Sequence, residues 1–162
     1  MNGSSAVFVR QAVAADMEAL MCWRMETLHA VFEVPKEEPI TALRAANEEY
    51  YKTALADGSH IACFAEQNGE IIGCGGVCLF REMPSPDNPT GRCAYLMNIY
   101  TREAFRGAGV GRKIVLWLVE QVKAKKITKI YLETSDCARS LYEGLGFVPM
   151  ENYLTLGNGG AQ

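Results

Sequence analysis

The stretch that decides the fold is residues 95–111, Tyr-Leu-Met-Asn-Ile-Tyr-Thr-Arg-Glu-Ala-Phe-Arg-Gly-Ala-Gly-Val-Gly. Residues 95–101 are rich in apolar and aromatic side chains, which is typical of a buried strand. Residues 106–111 (Arg-Gly-Ala-Gly-Val-Gly) then open the clearest helical pattern of the chain, over residues 109–125. The sequence therefore predicts a strand, a glycine-rich turn and a helix in direct succession.

This glycine-rich turn has the composition of an anion-binding loop. Glycine leaves the backbone N–H groups unobstructed, and the N-terminus of a helix carries partial positive charge on its unpaired N–H groups. Arg106 adds a full positive charge at the start of the loop. We therefore expect the loop to hold a phosphate or pyrophosphate group.

Two common nucleotide-binding motifs do not fit the loop. A dinucleotide fingerprint that began at Gly107 would need a glycine at position 112, where this chain has arginine. The Walker A pattern fails at the same position. Taken alone, the loop could also be a simple glycine-rich turn that leads into a helix.

Length and composition are those of one globular domain. The chain has 162 residues, of which 49% are hydrophobic and 22% are charged. We expect a single domain over residues 1–156 and a flexible tail over residues 157–162. The net charge of −3 gives no reason to expect nucleic acid as a partner. No apolar run approaches the ~20 residues that a membrane helix needs, so we expect no membrane partner either.

The cysteines indicate a reducing compartment. The six cysteines form no Cys-x-x-Cys pair, and neither histidine lies at zinc-finger spacing from them. Most lie within apolar runs, where a free thiol behaves as a small hydrophobic side chain. The N-terminal sequence lacks the basic and apolar regions of a signal peptide. We therefore expect buried, reduced thiols, no metal and a cytoplasmic location.

The order of predicted elements defines the fold class. Strands are predicted over residues 7–10, 60–66, 71–80, 93–101, 130–134 and once or twice after 147; helices over 16–31, 41–56, 109–125 and 137–145. Asn68-Gly69 between two of the strands is a hairpin signal. The expected fold is therefore α/β (α+β), with a mixed, mostly antiparallel central sheet of six to seven strands and about four flanking helices.

Two segments of the chain resemble one known family. Residues 95–111 resemble motif A of the GCN5-related N-acetyltransferases, with Arg106, Gly109 and Gly111 at the signature positions. Residues 141–147, Leu-Tyr-Glu-Gly-Leu-Gly-Phe, are similar to a second block of the family, with Gly144 where lysine is usual. The order of elements also fits, so the resemblance covers nearly the whole chain.

This resemblance implies the GNAT-like acyl-CoA N-acyltransferase fold, with acetyl-CoA as co-substrate and no metal. The pyrophosphate of acetyl-CoA is then expected on the loop amides, those of Arg106, Gly107, Ala108, Gly109, Val110 and Gly111. The pantetheine arm is expected to add beside the strand like an extra β-strand, along Ile99, Tyr100 and Thr101.

The implied reaction is direct transfer of an acetyl group from a thioester to an amine. Tyr142 matches the general acid of the family, which donates a proton to the leaving thiolate. The same tyrosine also lies on the apolar stripe of its helix, as a core residue would. Glu26 on the first predicted helix is the candidate general base, while Glu133, Asn98 or Tyr95 are alternatives that could order a water.

One family position differs in this chain. Many members carry an asparagine seven residues before the tyrosine, and here that residue is Ser135. A hydroxyl can replace one hydrogen bond of an amide but not both. The asparagine's role in holding the pantetheine arm is therefore not transferred to this position.

The acceptor is expected to be a primary amine of a small molecule or a peptide. The first two helices and the loop over residues 84–91 would shape its pocket. Phe32, Glu33 and Tyr50 could line an apolar, acidic site there, although the same residues could equally belong to the core and its rim. The family often forms homodimers, so a homodimer is also possible here. An alternative function is a catalytically weak acyl-CoA-binding regulatory module, and a third is a protein that binds a different nucleotide.

Overall fold

A computed structural model describes residues 6–37 and 39–157 of the chain. Within these residues the strands are β1 (Phe8–Ala12), β2 (His60–Gln67), β3 (Glu70–Arg81), β4 (Arg92–Thr101) and β5 (Lys129–Leu132). The helices are α1 (Met17–Val31), α2 (Thr41–Asp57), α3 (Val110–Ala124) and α4 (Asp136–Glu143). The predicted strand, glycine-rich turn and helix are present as β4, the loop and α3.

The strands form one sheet in the order β1-β2-β3-β4-β5. Neighbouring strands are antiparallel except for β4 and β5, which are parallel because α3 crosses between them. The β2–β3 hairpin turns at Asn68 and Gly69, whose φ angles are 53° and 79°. Two positive φ angles are what a two-residue hairpin turn needs. The mixed, mostly antiparallel sheet is therefore confirmed.

The predicted count of six to seven strands is wrong for the described residues, which form five. No strand forms over residues 148–157, where one or two had been expected. Pro149 has no N–H for a sheet ladder, and Asn152 has a φ of 66°, which interrupts an extended run. Leu154 is 99% exposed, and residues 148–150 line a cavity beside β5 rather than extend the sheet. The predicted tail lies, apart from Gly157, outside the described residues.

Each face of the sheet carries its own hydrophobic cluster. On one face, α3 packs with Ile114 and Leu118, both fully buried. On the other face, α1 and α2 pack through side chains such as Trp23 and Tyr51 around the buried Phe64. No helix in the described part of the chain is long and apolar enough to cross a membrane. The sheet is thus the central layer between two helical layers.

All six cysteines are free thiols, but their burial differs from the prediction. Cys63, Cys74 and Cys93 are buried and Cys78 is half-buried. The two cysteines on helices, Cys22 and Cys137, are exposed because they lie on the solvent side of α1 and α4.

A break in the pairing of β4 shapes the functional region. β4 pairs with β5 only from Cys93 to Leu96. Just after this paired segment, two residues of β4, Asn98 and Ile99, lie opposite the single residue Gly75 of β3. This arrangement is a β-bulge, and Asn98 within it has a φ of 58°. Residues 97–101 therefore have β3 on one side and, within the described structure, no partner strand on the other.

Gly75 lets α3 lie close against the sheet next to this bulge. A Cβ atom at this position would lie 2.5 Å from Cγ2 of Ile114 and 2.9 Å from Cδ1 of Ile99. Both distances are shorter than real carbon contacts. A side chain here would therefore push apart α3 and the bulged part of β4.

We predict that Gly75→Ala lowers the free energy of unfolding by about 1–3 kcal/mol because of this overpacking. Urea denaturation measures the change. Gly157→Ala is the control, because nothing lies within 4 Å of a Cβ at Gly157. Equal stability of the two variants would contradict the close packing described for Gly75.

Candidate active site

The loop between β4 and α3 is held open by two left-handed glycines. A short 3₁₀ turn over Glu103–Phe105 leads into it. Gly107 and Gly109 have φ angles of 75° and 79°, and no atom lies within 4 Å of the space where their Cβ atoms would be. A glycine adopts this conformation at little cost, whereas other residues are strained by it. The loop geometry therefore follows directly from the glycine spacing.

The loop presents a row of free hydrogen-bond donors. Among the described residues, the N–H groups of residues 107–112 have no hydrogen-bond partner, and the first helical bond of α3 runs from the N–H of Lys113 to the carbonyl of Gly109. The N–H of Arg106, which was also expected to hold the pyrophosphate, instead donates to the carbonyl of Glu103 at 3.1 Å. The loop itself is exposed to solvent over residues 106–109. Six free N–H groups at the positive end of a helix form a site for an anion.

Arg106 is fixed at the edge of this loop. Its Nε donates a hydrogen bond to the carbonyl oxygen of Thr101 at 3.0 Å. Its guanidinium carbon lies 5.8 Å from the ring centroid of Tyr100. These contacts hold the positive charge where β4 ends, between the unpaired edge of residues 97–101 and the loop.

The predicted strand residues of the cofactor site lie along the unpaired part of β4. Ile99 packs on the α3 side of the sheet, whereas Tyr100 packs on the α1 side beside Trp23. Thr101 is the last residue of the strand. The structure thus places Ile99, Tyr100 and Thr101 next to the loop, in line with it.

On the α1 and α2 side of the bulge, the structure contains a cavity of about 410 Å³, called the acceptor-side cavity below. It is lined by Arg24, Ala46, Asn47, Tyr50, Tyr51, His60, Cys78, Tyr95, Met97 and Asn98. The walls are mainly aromatic and apolar. The cavity borders β4 at the position where its pairing with β5 has ended.

The polar groups of the acceptor-side cavity are arranged by hydrogen bonds. Arg24 donates from Nε to Oδ1 of Asn47 at 2.8 Å and from Nη1 to Oδ1 of Asn98 at 2.9 Å. The hydroxyl of Tyr50 and Nδ1 of His60 are 2.9 Å apart. These pairs connect α1, α2 and β2 to the bulge of β4.

His60 is a neutral histidine in this cavity. It is buried, and its Nε2 atom has no hydrogen-bond partner in the described structure. Burial, followed by the positive charge of Arg24, lowers the pKa of His60 to about 4. His60 is therefore uncharged at neutral pH and cannot act as a cationic acid.

Tyr142 lies on the opposite, α3 side of the sheet. Its side chain is buried and packs edge-on against Phe147, with ring centroids 5.8 Å apart. Its hydroxyl has no hydrogen-bond partner among the described residues, and burial raises the pKa of the phenol. Tyr142 borders a separate cavity of about 940 Å³ between α3, β5 and α4. It belongs to the core cluster that contains Ile114 and packs against Ile99.

Glu26 is engaged in an ion pair. Its two carboxylate oxygens accept hydrogen bonds from Nε and Nη2 of Arg102, at 3.0 and 2.9 Å. The guanidinium of Arg102 also lies 4.4 Å from the ring centroid of Trp23. Glu26 does not line the acceptor-side cavity. Taking up a proton would require it to give up part of this ion pair.

Of the three residues expected to line the acceptor pocket, Tyr50 lines the acceptor-side cavity, whereas Phe32 and Glu33 do not. The loop over residues 84–91 contributes no lining residue to the acceptor-side cavity, because it folds back on buried Asn88, which bonds to Glu82 and to the carbonyl of Arg92. Ser135 lies at the N-cap position of α4, and its hydroxyl contacts the thiol of Cys137 at 3.1 Å.

Sequence reasoning missed Arg24 and His60 as site residues. Arg24 had a usable signal, because it occupies a position on the apolar stripe of α1 that also contains Met17, Leu20, Met21 and Leu28. A charged residue on such a stripe is unusual unless it has a partner or a function. His60 had no such signal, since its partner Tyr50 is brought to it only by the packing of α2.

An open edge on β4, a glycine loop with free N–H groups and an adjoining cavity fit the class of acyl-CoA-dependent acyltransferases. The family model described as "Acetyltransferase (GNAT) family" matches residues 18–147, and the chain belongs to this family. Both segments that resemble the family, residues 95–111 and residues 141–147, lie within the matched range.

Individual relatives agree with this assignment. The chain is 31% identical over 103 residues to the uncharacterized N-acetyltransferase YjgM of Escherichia coli (strain K12), covering 62% of this chain and 58% of that protein. It is 23% identical to the glucosamine 6-phosphate N-acetyltransferase of Trypanosoma brucei brucei, covering 82% and 85%. A crystal structure of a predicted acetyltransferase with acetyl-CoA from Clostridium acetobutylicum superposes with a TM-score of 0.83 at 28% identity, covering 94% and 96%.

The buried His60 predicts a pH dependence of stability. Its pKa is about 4 in the folded protein and 6.5 without burial, so between these values the unfolded chain binds more protons. The free energy of unfolding should therefore fall as the pH falls from 6.5 toward 4, and His60→Gln should flatten this slope. Urea denaturation at several pH values measures it. His29→Gln, outside the cavity lining, is the control; a slope unchanged in His60→Gln would contradict the assignment.

Proposed function

We propose that this protein is an N-acetyltransferase that moves the acetyl group of acetyl-CoA to a primary amine of a small molecule. The observation that carries the proposal is the unpaired edge of β4 over residues 97–101, which leads directly to the six free N–H groups of the loop. An extended chain that ends in a pyrophosphate matches both features. The pantetheine arm and pyrophosphate of acetyl-CoA have this form.

The donor would be held by the main chain. The pantetheine amides would pair with the unpaired side of β4 at Ile99, Tyr100 and Thr101, as in the addition of a strand to a sheet edge. The pyrophosphate would rest on the N–H groups of residues 107–112, with Arg106 beside it. This arrangement places the thioester near the bulge at Asn98, because the arm runs along β4 away from the loop.

The acceptor would enter from the other side of the bulge. The acceptor-side cavity has a volume of about 410 Å³, within the usual range for small-molecule sites. Asn98 borders both the cavity and the bulge. A small amine bound there could therefore reach a thioester that lies along β4. The relative from Trypanosoma brucei brucei, whose name gives a small phosphorylated amino sugar as substrate, agrees with this choice.

In the proposed reaction, the neutral amine attacks the thioester carbonyl and the C–S bond breaks. The amine loses a proton, and the sulfur of CoA leaves as a thiolate that must be protonated. Tyr142 would donate that proton. A phenol is protonated at neutral pH, burial raises the pKa of Tyr142 further, and its hydroxyl has no competing partner in the described structure. The role of Glu26 as the base stays a prediction.

The experiment that tests this function is an acetyl-CoA-dependent thiol-release assay with a panel of primary amines. Acetylated product should form with at least one small amine, and mass spectrometry should identify it. The six thiols of the protein are measured separately and subtracted. Binding of acetyl-CoA without release for any amine or peptide would instead favour the catalytically weak acyl-CoA-binding module.

We predict that Tyr142→Phe lowers kcat by about a hundredfold, the usual contribution of a general acid. The affinity for acetyl-CoA should stay the same, because the phenyl ring still packs against Phe147. Steady-state kinetics and calorimetry measure the two quantities. Tyr153→Phe, at a tyrosine that is 60% exposed, is the control. An unchanged kcat in Tyr142→Phe would remove Tyr142 from the mechanism.

A further inference from the structure

We infer that the acceptor amine carries an anionic group, a carboxylate or a phosphate, and that Arg24 binds this group. The inference deepens the proposed function and rests on it. It is based on the position of Arg24, on its hydrogen-bond partners and on the composition of the acceptor-side cavity.

Arg24 is placed where a core residue would be expected. It lies on the apolar stripe of α1, is half-buried and lines the acceptor-side cavity. Its positive charge acts on the cavity, since it contributes to lowering the pKa of His60. A half-buried charge is costly unless something compensates for it.

The partners of Arg24 are neutral. Its Nε and Nη1 atoms donate to the side-chain amide oxygens of Asn47 and Asn98, and within the described residues Arg24 forms no ion pair. Two other arginines that contact neighbouring side chains, Arg10 and Arg102, are each paired with carboxylates. A guanidinium has five N–H donors, so three of those of Arg24 stay available.

The two amides fix the guanidinium without neutralising it. A hydrogen bond to an amide oxygen orients a donor but brings no negative charge. Arg24 is thus held in one orientation with its charge unpaired and its remaining N–H groups available in a cavity. A carboxylate or phosphate can accept two parallel hydrogen bonds from a guanidinium, which makes it the matching ligand.

The rest of the cavity lining defines the remaining part of the acceptor. It contains three tyrosines, a methionine and an alanine, and no aspartate or glutamate. Such a lining favours an apolar or aromatic body, and it contains no carboxylate of its own to pair with a second cationic group; the carboxylate of Glu133 acts on the lining residue Tyr95. Since Arg24 bonds directly to Asn98 at the bulge, the anionic group should lie only a few bonds from the reacting amine.

The test compares amines that differ in the anionic group. One pair is L-phenylalanine and phenethylamine, and a second pair is O-phosphoethanolamine and ethanolamine; putrescine represents a purely cationic amine. In each pair the anionic member should have the higher kcat/KM, by about tenfold or more, as expected for a charge-assisted contact. The pair with the larger ratio of kcat/KM between its two members shows whether the site prefers a carboxylate or a phosphate.

Three variants separate binding of the anion from a structural role of Arg24. Arg24→Gln should raise KM for the anionic member of a pair about ten- to one-hundred-fold with kcat nearly unchanged, and should change KM far less for the member that lacks the anionic group. Arg24→Lys should recover part of the affinity. Arg44→Gln, at an exposed arginine of α2, should behave as the wild type. An equal loss for both members of a pair would show a structural role and overturn the inference.

Melting temperatures separate this inference from the proposed function. If no amine is acetylated, but anionic amines in the presence of CoA raise the melting temperature of the wild type and not of Arg24→Gln, the inference stands and the proposed function fails. If amines are acetylated with no preference for the anionic member, the proposed function stands and the inference fails. If anionic amines neither react nor raise the melting temperature, the inference is overturned.

Discussion

The break in strand pairing at the middle of β4 is the constraint on which the rest of the site depends. β4 pairs with β5 as far as Leu96, and the bulge at Asn98 then turns the strand while β3 still supports it on the other side. Without this break β5 would pair with β4 along its whole length, and β4 would have no free edge. The glycine loop lies at the end of that edge and the acceptor-side cavity borders its start.

Positive charge and free hydrogen-bond donors are concentrated along the unpaired part of β4, although the whole chain has a net charge of −3. The loop offers unpaired N–H groups, Arg106 stands beside them and Arg24 faces the acceptor-side cavity. The two guanidinium groups, those of Arg106 and Arg24, are oriented by hydrogen bonds to neutral oxygen atoms rather than by carboxylates. Their charge is therefore available to ligands, in contrast to Arg102, whose charge is paired with Glu26.

Local sequence patterns predicted most of the helices and strands. Features that depend on contacts between distant parts of the chain were not predicted. The turn at Asn68 and Gly69 and the loop at Gly107 and Gly109 were predictable, because their backbone conformations depend on residue type alone. The ion pair of Glu26 joins residues 76 positions apart, so no local pattern could reveal it. The one or two strands predicted after residue 147 do not form, because Pro149 has no N–H for a sheet ladder and Asn152 has a left-handed backbone.

Binding of acetyl-CoA to the free N–H groups of the loop is tested most directly by calorimetric titration. Gly109→Ala and Gly58→Ala place the same side chain at nearly equal positive φ angles, 79° and 75°, with open space around both. Both should lose similar stability, but only Gly109→Ala displaces the loop amides. We expect its dissociation constant for acetyl-CoA to rise about tenfold or more, with Gly58→Ala like the wild type. Equal affinity in all three proteins would contradict the account.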